Sequence, residues 1–209
     1  MEGERVNRYR ASRREMLAYI PSRARTLLDV GSANGGFGGV ISDERPEVCV
    51  WGIDPQAGES SRRGYQTIIS GHFPDDMPAG ARFDCVVMND VLEHMVDPWS
   101  VLKSTAEFLE PEGCVVASVP NIRHLRVVLD LALRGRWDYQ DDGVLDRTHL
   151  RFFTKVTILE MFQGAGFDVK KIEPVNLPNA GRRAILRRIS LGALDNLITQ
   201  QYAVVAVRS

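Results

Sequence analysis

Residues 27–38 of this 209-residue chain read LLDVGSANGGFG, and this stretch decides the fold. An apolar run stopped by glycines, here Thr26–Val30, is typical of a buried strand. The small residues that follow let the backbone approach a ligand closely, and the first N–H groups of a helix are free to bind it. The stretch therefore predicts a strand, a ligand-binding turn and a helix. The alternative is a glycine-rich turn that only packs a helix on a strand.

An acidic residue, Asp29, stands at the end of this first strand. The dinucleotide fingerprint G-x-G-x-x-G is missing, because Ala33 occupies the position of its second glycine. A carboxylate would repel a pyrophosphate and suits a cationic group, such as the ammonium of a methionine moiety. The turn therefore favours S-adenosylmethionine over NAD as the ligand.

A second acidic residue, Asp54, ends the next strand candidate, Val48–Ile53. A carboxylate at the tip of a second strand can accept both ribose hydroxyls of an adenosine. Asp54 could instead cap a following helix, since Pro55 comes next. Because the turn and the acid agree, we favour ribose binding.

Strand and helix patterns alternate along most of the chain. The remaining strand candidates are Tyr65–Ser70, Phe83–Met88, Cys114–Val119, Phe167–Glu173 and Tyr202–Val207. Helical patterns cover Asn7–Ile20, residues 98 to about 109 after an Asp97 cap, Leu125–Leu133, and the residues from the Thr154 cap to Gly164. This alternation predicts a parallel sheet covered by helices on both faces, and the ending on two strands allows an antiparallel final pair. We predict one domain over residues 1–209, with an insertion at about 121–153.

Charge and composition exclude several classes of protein. The 26 basic and 27 acidic residues give a formal charge of −1, which supplies no global field for a nucleic acid or an anionic membrane. A local basic patch remains, for which a solvated helix face is favoured over a nucleic-acid contact; its members are Arg182, Arg183, Arg187 and Arg188.

The apolar segments, the N-terminus and the cysteines predict the cellular location of the chain. No run of 18 apolar residues spans a bilayer, and the charged N-terminus lacks the apolar core of a signal peptide. The cysteines sit inside apolar runs without paired spacing; they are Cys49, Cys85 and Cys114. Buried thiols of this kind predict a cytoplasmic protein.

Taken in order, four segments resemble the class I S-adenosylmethionine-dependent methyltransferases. They are LLDVGSANGG, the acid in WGIDP, FDCVVMNDVLEH with DPWSVL behind it, and RTHLRFFT followed by a helix ending in GAGF. The resemblance implies an α/β, Rossmann-like three-layer sandwich with a seven-stranded, mostly parallel sheet and an antiparallel last strand. It also implies S-adenosyl-L-methionine as the cofactor.

The resemblance places the cofactor along four segments of the chain. Asp29 and the turn would line the methionine part, Asp54 with Pro55 would hold the ribose, residues 71–73 would face the adenine edge, and residues 89–91 would lie beneath the sulfonium. The positions beyond the two acids are Gly31, Ser32, Ala33, Asn34, Gly35, Gly71, His72, Phe73, Asn89, Asp90 and Val91. His72 departs from the aspartate of many relatives, so adenine recognition could fall to backbone groups or to Asp75 and Asp76.

The segment after the fifth strand, residues 121–154, is expected to roof the acceptor site. Its stretch GRWDY…GVLDRTHLRFFT is similar to methyltransferases of bacterial sugar, polysaccharide and natural-product pathways. That similarity favours a small-molecule acceptor, methylated on oxygen with the help of a general base. His149 is the first candidate, with acids such as Asp146 nearby, and His94 and His124 are its competitors.

Several alternatives stay open at this point. An RNA methyltransferase or a non-catalytic methyltransferase-like scaffold would share the turn, although the neutral charge argues against nucleic acid and the intact acids argue against a scaffold. No cluster of ligand-type residues shows metal-binding spacing along the sequence. The excursion 174–201 could pack on the core, form a homodimer face or act as a lid. Its apolar positions at mostly helical intervals are Leu186, Ile189, Leu191, Leu194 and Leu197.

Overall fold

The structure, a computed structural model, describes residues 12–58, 62–175 and 195–209. The basic patch expected at 182–188 and most of the excursion's apolar positions lie outside the described residues. Of those positions, Leu197 falls in the short helix Asp195–Ile198. Within the expected N-terminal helix, the described part forms a 3-10 helix, Arg14–Tyr19.

Seven strands form where the sequence predicts them. They are β1 (Thr26–Val30), β2 (Cys49–Asp54), β3 (Thr67–Ser70), β4 (Phe83–Asn89), β5 (Leu109–Pro120), β6 (Phe167–Val175) and β7 (Gln201–Arg208). The largest difference is in β5, which begins well before the predicted Cys114. After Leu109 this strand continues with Glu110–Gly113, which reads EPEG and contains two charges, a proline and a glycine, so hydrophobicity does not reveal it.

The strands join in one sheet of order β3-β2-β1-β4-β5-β7-β6. β1 to β5 pair in parallel, while β7 is antiparallel to both of its neighbours, β5 and β6. The strand order reverses between β1 and β4, and an open α/β sheet has its crevice beyond the carboxyl ends of the strands at such a reversal. The expected seven-stranded sheet with an antiparallel last strand is confirmed.

Five α-helices are present in the described ranges. They are α1 (Gly36–Glu44), α2 (Pro98–Thr105), α3 (Leu125–Arg134), α4 (Lys155–Gly164) and α5 (Asp195–Ile198). Asp97 caps α2 by accepting from the Ser100 N–H at 3.1 Å, and Thr154 caps α4 in a capping box with Thr157. α2 ends before the predicted Leu109, because the 3-10 turn Ala106–Phe108 follows it.

Each face of the sheet has its own hydrophobic core. Neighbouring residues of β1 point to opposite faces, so that Leu28 packs with Leu102 of α2 and Phe162 of α4, whereas Leu27 packs with Ile41 of α1. Fully burying one such side chain contributes about 1.5–3 kcal/mol. These two cores are what the expected three-layer arrangement requires.

The state of the three cysteines and the apolar character of the helices bear on the predicted cellular location. Cys85 and Cys114 are buried free thiols, and Cys49 is half-buried and free. Across the ranges that the structure describes, no helix has the length and apolar character needed to cross a membrane. The prediction of one domain with an insertion at about 121–153 stays a prediction; that range holds α3 and a loop.

Candidate cofactor and acceptor site

The turn between β1 and α1 lies at the carboxyl edge of the sheet, where the strand order reverses. Gly31 and Ser32 donate their N–H groups to the Ile53 carbonyl at 2.9 and 3.3 Å, which ties the turn to β2. Gly31 has φ +76°, and a Cβ there would stand 2.6 Å from Cγ2 of Val91. Only glycine fits this position without strain, since the backbone is left-handed and the space is closed.

Ala33 adopts φ +44° in the same turn, a conformation that costs an alanine roughly 1–2 kcal/mol. Gly35 follows with φ +79° and caps the N-terminus of α1. Residues 31–35 therefore curl beyond β1 with only short side chains, and we call this turn the cradle.

Asp54 links the turn to β2. Its Oδ2 accepts from the Ala33 N–H at 3.0 Å, and its Oδ1 accepts from the Gln56 N–H at 2.7 Å. Each carboxylate oxygen has two acceptor positions, so both keep one for a ligand hydroxyl. The alternative role as a helix cap is not seen, because a turn and not a helix follows at Pro55.

Asp29 is buried at the end of β1, where the Tyr65 hydroxyl donates to its Oδ2 at 2.5 Å. Burial raises the pKa of the Asp29 carboxyl to about 7, and the hydrogen bond from Tyr65 opposes that rise. Tyr65 in turn accepts from the Gly38 N–H at 3.0 Å. Sequence reasoning missed Tyr65 as a partner, since its pattern indicated only a strand residue.

The loop at 71–73 is held by Asp76, whose Oδ2 accepts from the His72 N–H at 2.7 Å. A Cβ at Gly71 would come within 2.5 Å of that same oxygen. The Phe73 side chain is buried against Phe108, with ring centroids 5.3 Å apart, so it belongs to the core. Any contact of Phe73 with an adenine would therefore be made by its backbone.

The residues after β4 combine an unpartnered amide with a tightly held carboxylate. Among the described residues, the Asn89 side-chain amide is buried and has no hydrogen-bond partner at either polar atom. Asp90 has φ +54° and forms an ion pair with Arg13 at 3.0 Å. Its Oδ1 also accepts from Ser118 at 3.1 Å and from Gln201, so this carboxylate already has protein partners.

A group of three side chains, which we call the histidine cluster, follows along the same edge: Glu93, His94 and His149. One ligand-type atom of each lies within 4.8 Å of the others, and the two imidazole centroids are 4.8 Å apart. Glu93 and His94 belong to the 3-10 turn Leu92–His94 just beyond β4. His149 comes from the loop before α4, so only folding brings the three together.

Glu93 is the unusual member of the histidine cluster. Its side chain is 1% exposed, and neither carboxylate oxygen has a hydrogen-bond partner in the described part of the chain. Burial, followed by the charge of Asp90, raises its pKa well above the usual range. Its carbonyl accepts from Leu150 and Arg151, which fastens the His149 loop to the turn.

Backbone carbonyls orient both histidines. Nδ1 of His149 lies 3.1 Å from the Val144 carbonyl, and Nδ1 of His94 lies 3.1 Å from the Thr148 carbonyl. Burial lowers the pKa of His149, so the ring is neutral near pH 7. A neutral ring that donates from Nδ1 carries its lone pair on Nε2. That Nε2 lies 4.0 Å from Oε1 of Glu93.

The other two candidates for acid–base work have different positions. Asp146 is buried, and its Oδ1 accepts from the Thr148 N–H and hydroxyl at 2.8 and 2.7 Å. Its charge raises the pKa of His149 against the effect of burial. His124 lies at the N-cap of α3, where its N–H donates to the Asn121 carbonyl at 3.1 Å.

Aromatic rings border the histidine cluster on the side of the expected roof. The Phe152 ring lies 6.3 Å from that of His149 and 5.3 Å from that of Trp137, centroid to centroid. Tyr139 stands 6.5 Å from Phe152. The sequence indicated the aromatic character of this loop, but it did not single out Phe152 or Glu93.

Comparison with known proteins agrees with this geometry. A family model described as a methyltransferase domain matches residues 1–172. A ubiquinone biosynthesis O-methyltransferase from Cereibacter sphaeroides is 28% identical over 167 residues, covering 74% of this chain and 65% of that protein. The chain thus spans less than two thirds of that relative.

Solved structures share the fold at low sequence identity. A S-adenosylmethionine-dependent methyltransferase from Archaeoglobus fulgidus has a TM-score of 0.64 at 18% identity, with 97% of this chain and 94% of that chain covered. The 1,6-didemethyltoxoflavin-N1-methyltransferase of Burkholderia thailandensis has a TM-score of 0.66 at 17% identity, with 100% and 83% covered. Mitomycin 7-O-methyltransferase reaches 0.66 at 16% identity, with 98% and 54% covered.

Proposed function

The chain belongs to the methyltransferase domain family, and on this premise we propose that it methylates a hydroxyl group of a small molecule. The predictions of a class I methyltransferase and of S-adenosyl-L-methionine as its cofactor are confirmed by the family match and by the fold. Which molecule the whole protein acts on is part of the proposal. The observation that carries it is the lone pair of His149, held beside a buried carboxylate at the cofactor edge of the sheet.

The residues at that edge fit the cofactor. The turn packs so tightly on Val91 that a Cβ at Gly31 would clash there, and the buried Asn89 amide lacks a protein partner within the described ranges. Asp29 would meet the ammonium group, and Asp54 would accept the ribose hydroxyls with its remaining lone pairs. The loop at Gly71–Phe73 would face the adenine through its backbone.

Methyl transfer needs alignment and the loss of one proton. When bound, S-adenosylmethionine supplies a methyl group on a sulfonium, whose leaving group needs no acid. The acceptor oxygen would form a bond to that methyl carbon as the carbon–sulfur bond breaks with its electrons left on sulfur, and the hydroxyl would give up its proton. Holding the two reactants in line is the main contribution of the protein. Assistance with the hydroxyl proton adds roughly 10²–10⁴-fold.

The histidine cluster is the group that we assign to the hydroxyl. Val91 touches the turn, and Glu93 follows two residues later, so the cluster is next to the cofactor cradle along the chain and in space. The Nε2 lone pair of His149 is the group oriented to assist the loss of the proton. The rings of Phe152, Trp137 and Tyr139 would cover an apolar or aromatic part of the acceptor.

An acceptor of this kind falls within the sequence-based expectation of a sugar or another hydroxylated metabolite. Hydroxylated aromatic compounds fit the aromatic border at least as well as sugars do. A cytoplasmic location and a possible homodimer stay predictions, as does the absence of nucleic-acid binding. Of the alternatives left open by the sequence, the RNA methyltransferase gains no support from the described residues.

Calorimetric titration of the full chain with S-adenosylmethionine tests the cofactor site. Asp54→Ala is expected to weaken binding at least about tenfold, or about 1.4 kcal/mol, because the ribose loses its acceptor. Glu107→Gln, in the exposed 3-10 turn after α2, is the matched control. NAD, titrated in parallel, should not bind. An unchanged affinity of Asp54→Ala for S-adenosylmethionine would contradict the assignment of Asp54 to the ribose.

A screen for S-adenosylhomocysteine release tests the acceptor. Paired compounds that differ only in a hydroxyl or an amino group, drawn from phenols, catechols and sugars, separate oxygen from nitrogen methylation. Turnover of hydroxyl compounds alone is expected. Turnover restricted to the amino members would overturn the assignment to oxygen.

A further inference from the structure

The histidine cluster contains a buried carboxyl group without a hydrogen-bonding partner of its own among the described residues. Glu93 is 1% exposed and has no hydrogen-bond partner at either oxygen among the described residues. Burying a carboxylate without a hydrogen bond or a counter-charge is expensive. The nearest basic atom that pairs with it, Nε2 of His149, is 4.0 Å away and belongs to a ring that burial keeps neutral.

The two imidazoles are oriented as metal ligands are. In both rings Nδ1 lies 3.1 Å from a backbone carbonyl, which leaves the lone pair on Nε2. Proteins fix the tautomer and the direction of metal-binding histidines by this type of contact. His149 is buried whereas His94 is exposed, so one side of the cluster is open to a ligand that enters from solvent.

The distances are somewhat wider than those of an assembled coordination sphere. Ligands about 2.1 Å from a tetrahedrally coordinated cation lie about 3.4 Å apart. The ligand-type atoms of the cluster lie within 4.8 Å of one another, and the pair between Glu93 and His149 is at 4.0 Å. A bound cation would therefore draw the three side chains closer together.

We propose that Glu93, His94 and His149 form a binding site for a divalent transition-metal cation. Two imidazole nitrogens and one carboxylate oxygen are ligands that suit zinc, cobalt, nickel or manganese, and they leave coordination positions open. Asp90 and Asp146 add negative charge around the site, while Arg13 offsets part of it by pairing with Asp90.

This inference rests on the proposed function and names the means by which the cluster activates the hydroxyl. An acceptor oxygen that coordinates the cation becomes more acidic, and its proton passes to water. His149 would then assist the loss of the proton through the cation that its Nε2 holds, and the ring would not take the proton itself. A chelating acceptor, with two neighbouring oxygens, would use the open positions best.

Titration of the chelator-treated full chain with Co²⁺ tests the site, since bound cobalt is read from its visible absorption spectrum. One saturable Co²⁺ per chain is expected, and Glu93→Gln and His149→Gln should each weaken binding at least tenfold. Glu107→Gln is the matched control outside the cluster and should bind as the unaltered chain does. Circular dichroism checks that all three variants are folded.

Three outcomes separate this inference from the proposed function. No Co²⁺ binding, or equal binding in Glu93→Gln and His149→Gln, overturns the metal site. Hydroxyl methylation that continues in excess chelator would overturn the role of the cation in activating the hydroxyl, while the proposed function stands. Co²⁺ binding that depends on Glu93, combined with turnover of amino compounds alone, would instead overturn the proposed function and leave the metal site intact.

Discussion

The cofactor cradle and the histidine cluster lie side by side at one edge of the sheet, yet they are built in opposite ways. The cradle is made by the backbone of one continuous segment, to which the acids Asp29 and Asp54 are joined through a tyrosine hydroxyl and through backbone N–H groups. The cluster is made by side chains up to 56 positions apart (149 − 93), with a carboxyl group that lacks hydrogen bonds in the described ranges. The comparison teaches that the backbone conformation of the cradle is prepared within one segment, whereas the side chains of the cluster are brought together only by tertiary contacts.

The largest effect should come from the cluster and leave the cradle untouched. His149→Gln is expected to lower kcat by about 10²–10⁴-fold, because the hydroxyl loses assistance with its proton. The affinity for S-adenosylmethionine should change less than about twofold, since the cradle lies on other segments. Single-turnover release of S-adenosylhomocysteine and calorimetry measure the two effects.

Glu107→Gln serves as the control for this variant, because its residue lies in an exposed turn. A parallel loss of cofactor binding and turnover in His149→Gln would mean that the two regions are not independent. The comparison between them would then fail.

The second effect should come from the cradle backbone. Gly31→Ala would force a Cβ to within 2.6 Å of Val91 at a left-handed φ, and we expect it to destabilise the protein by about 1–3 kcal/mol. For a chain of this length, each kcal/mol lowers Tm by about 2–4 °C. Thermal unfolding followed by circular dichroism gives the shift.

Gly80→Ala separates backbone strain from the clash, since Gly80 has φ +80° but open space around it. It should lower Tm by less than Gly31→Ala does. Equal shifts would show that contact with Val91 contributes nothing, and Val91→Ala should partly rescue Gly31→Ala.

The smallest effect should be a dependence of cofactor binding on pH. Burial raises the pKa of Asp29 to about 7, so the carboxyl is mostly neutral at pH 6 and becomes charged as the pH rises. Only the charged form attracts an ammonium group. The affinity for S-adenosylmethionine is therefore expected to rise about fivefold from pH 6 to pH 7.5, allowing for the ligand's own amino group.

Two variants sharpen the assignment of this titration. Asp29→Asn should flatten the pH dependence. Tyr65→Phe removes a hydrogen bond that lowers the pKa of Asp29, so it should move the rise to higher pH. A dependence that survives in Asp29→Asn would assign the titration to another group.

Much of the fold could be predicted because its signals are local. The strand before Gly31, the capped helix after Asp97 and the acid at Asp54 each show in a few consecutive residues. The start of β5 was missed, since Glu110–Gly113 carries no apolar pattern. The sequence also proposed His149 and His94 separately, but it gave no reason to join them to Glu93.

The sequence by itself indicated the cradle, because its glycines and small residues stand together in one segment and each acid stands at the end of a recognisable strand. Only the tertiary structure decided the surroundings of Asp29, Glu93 and His149. Asp29 meets Tyr65 across 36 positions, and Glu93 meets His149 across a crossover and an insertion. The physical reason is that desolvation and charge depend on every group within a few ångströms, and sequence order does not record that neighbourhood.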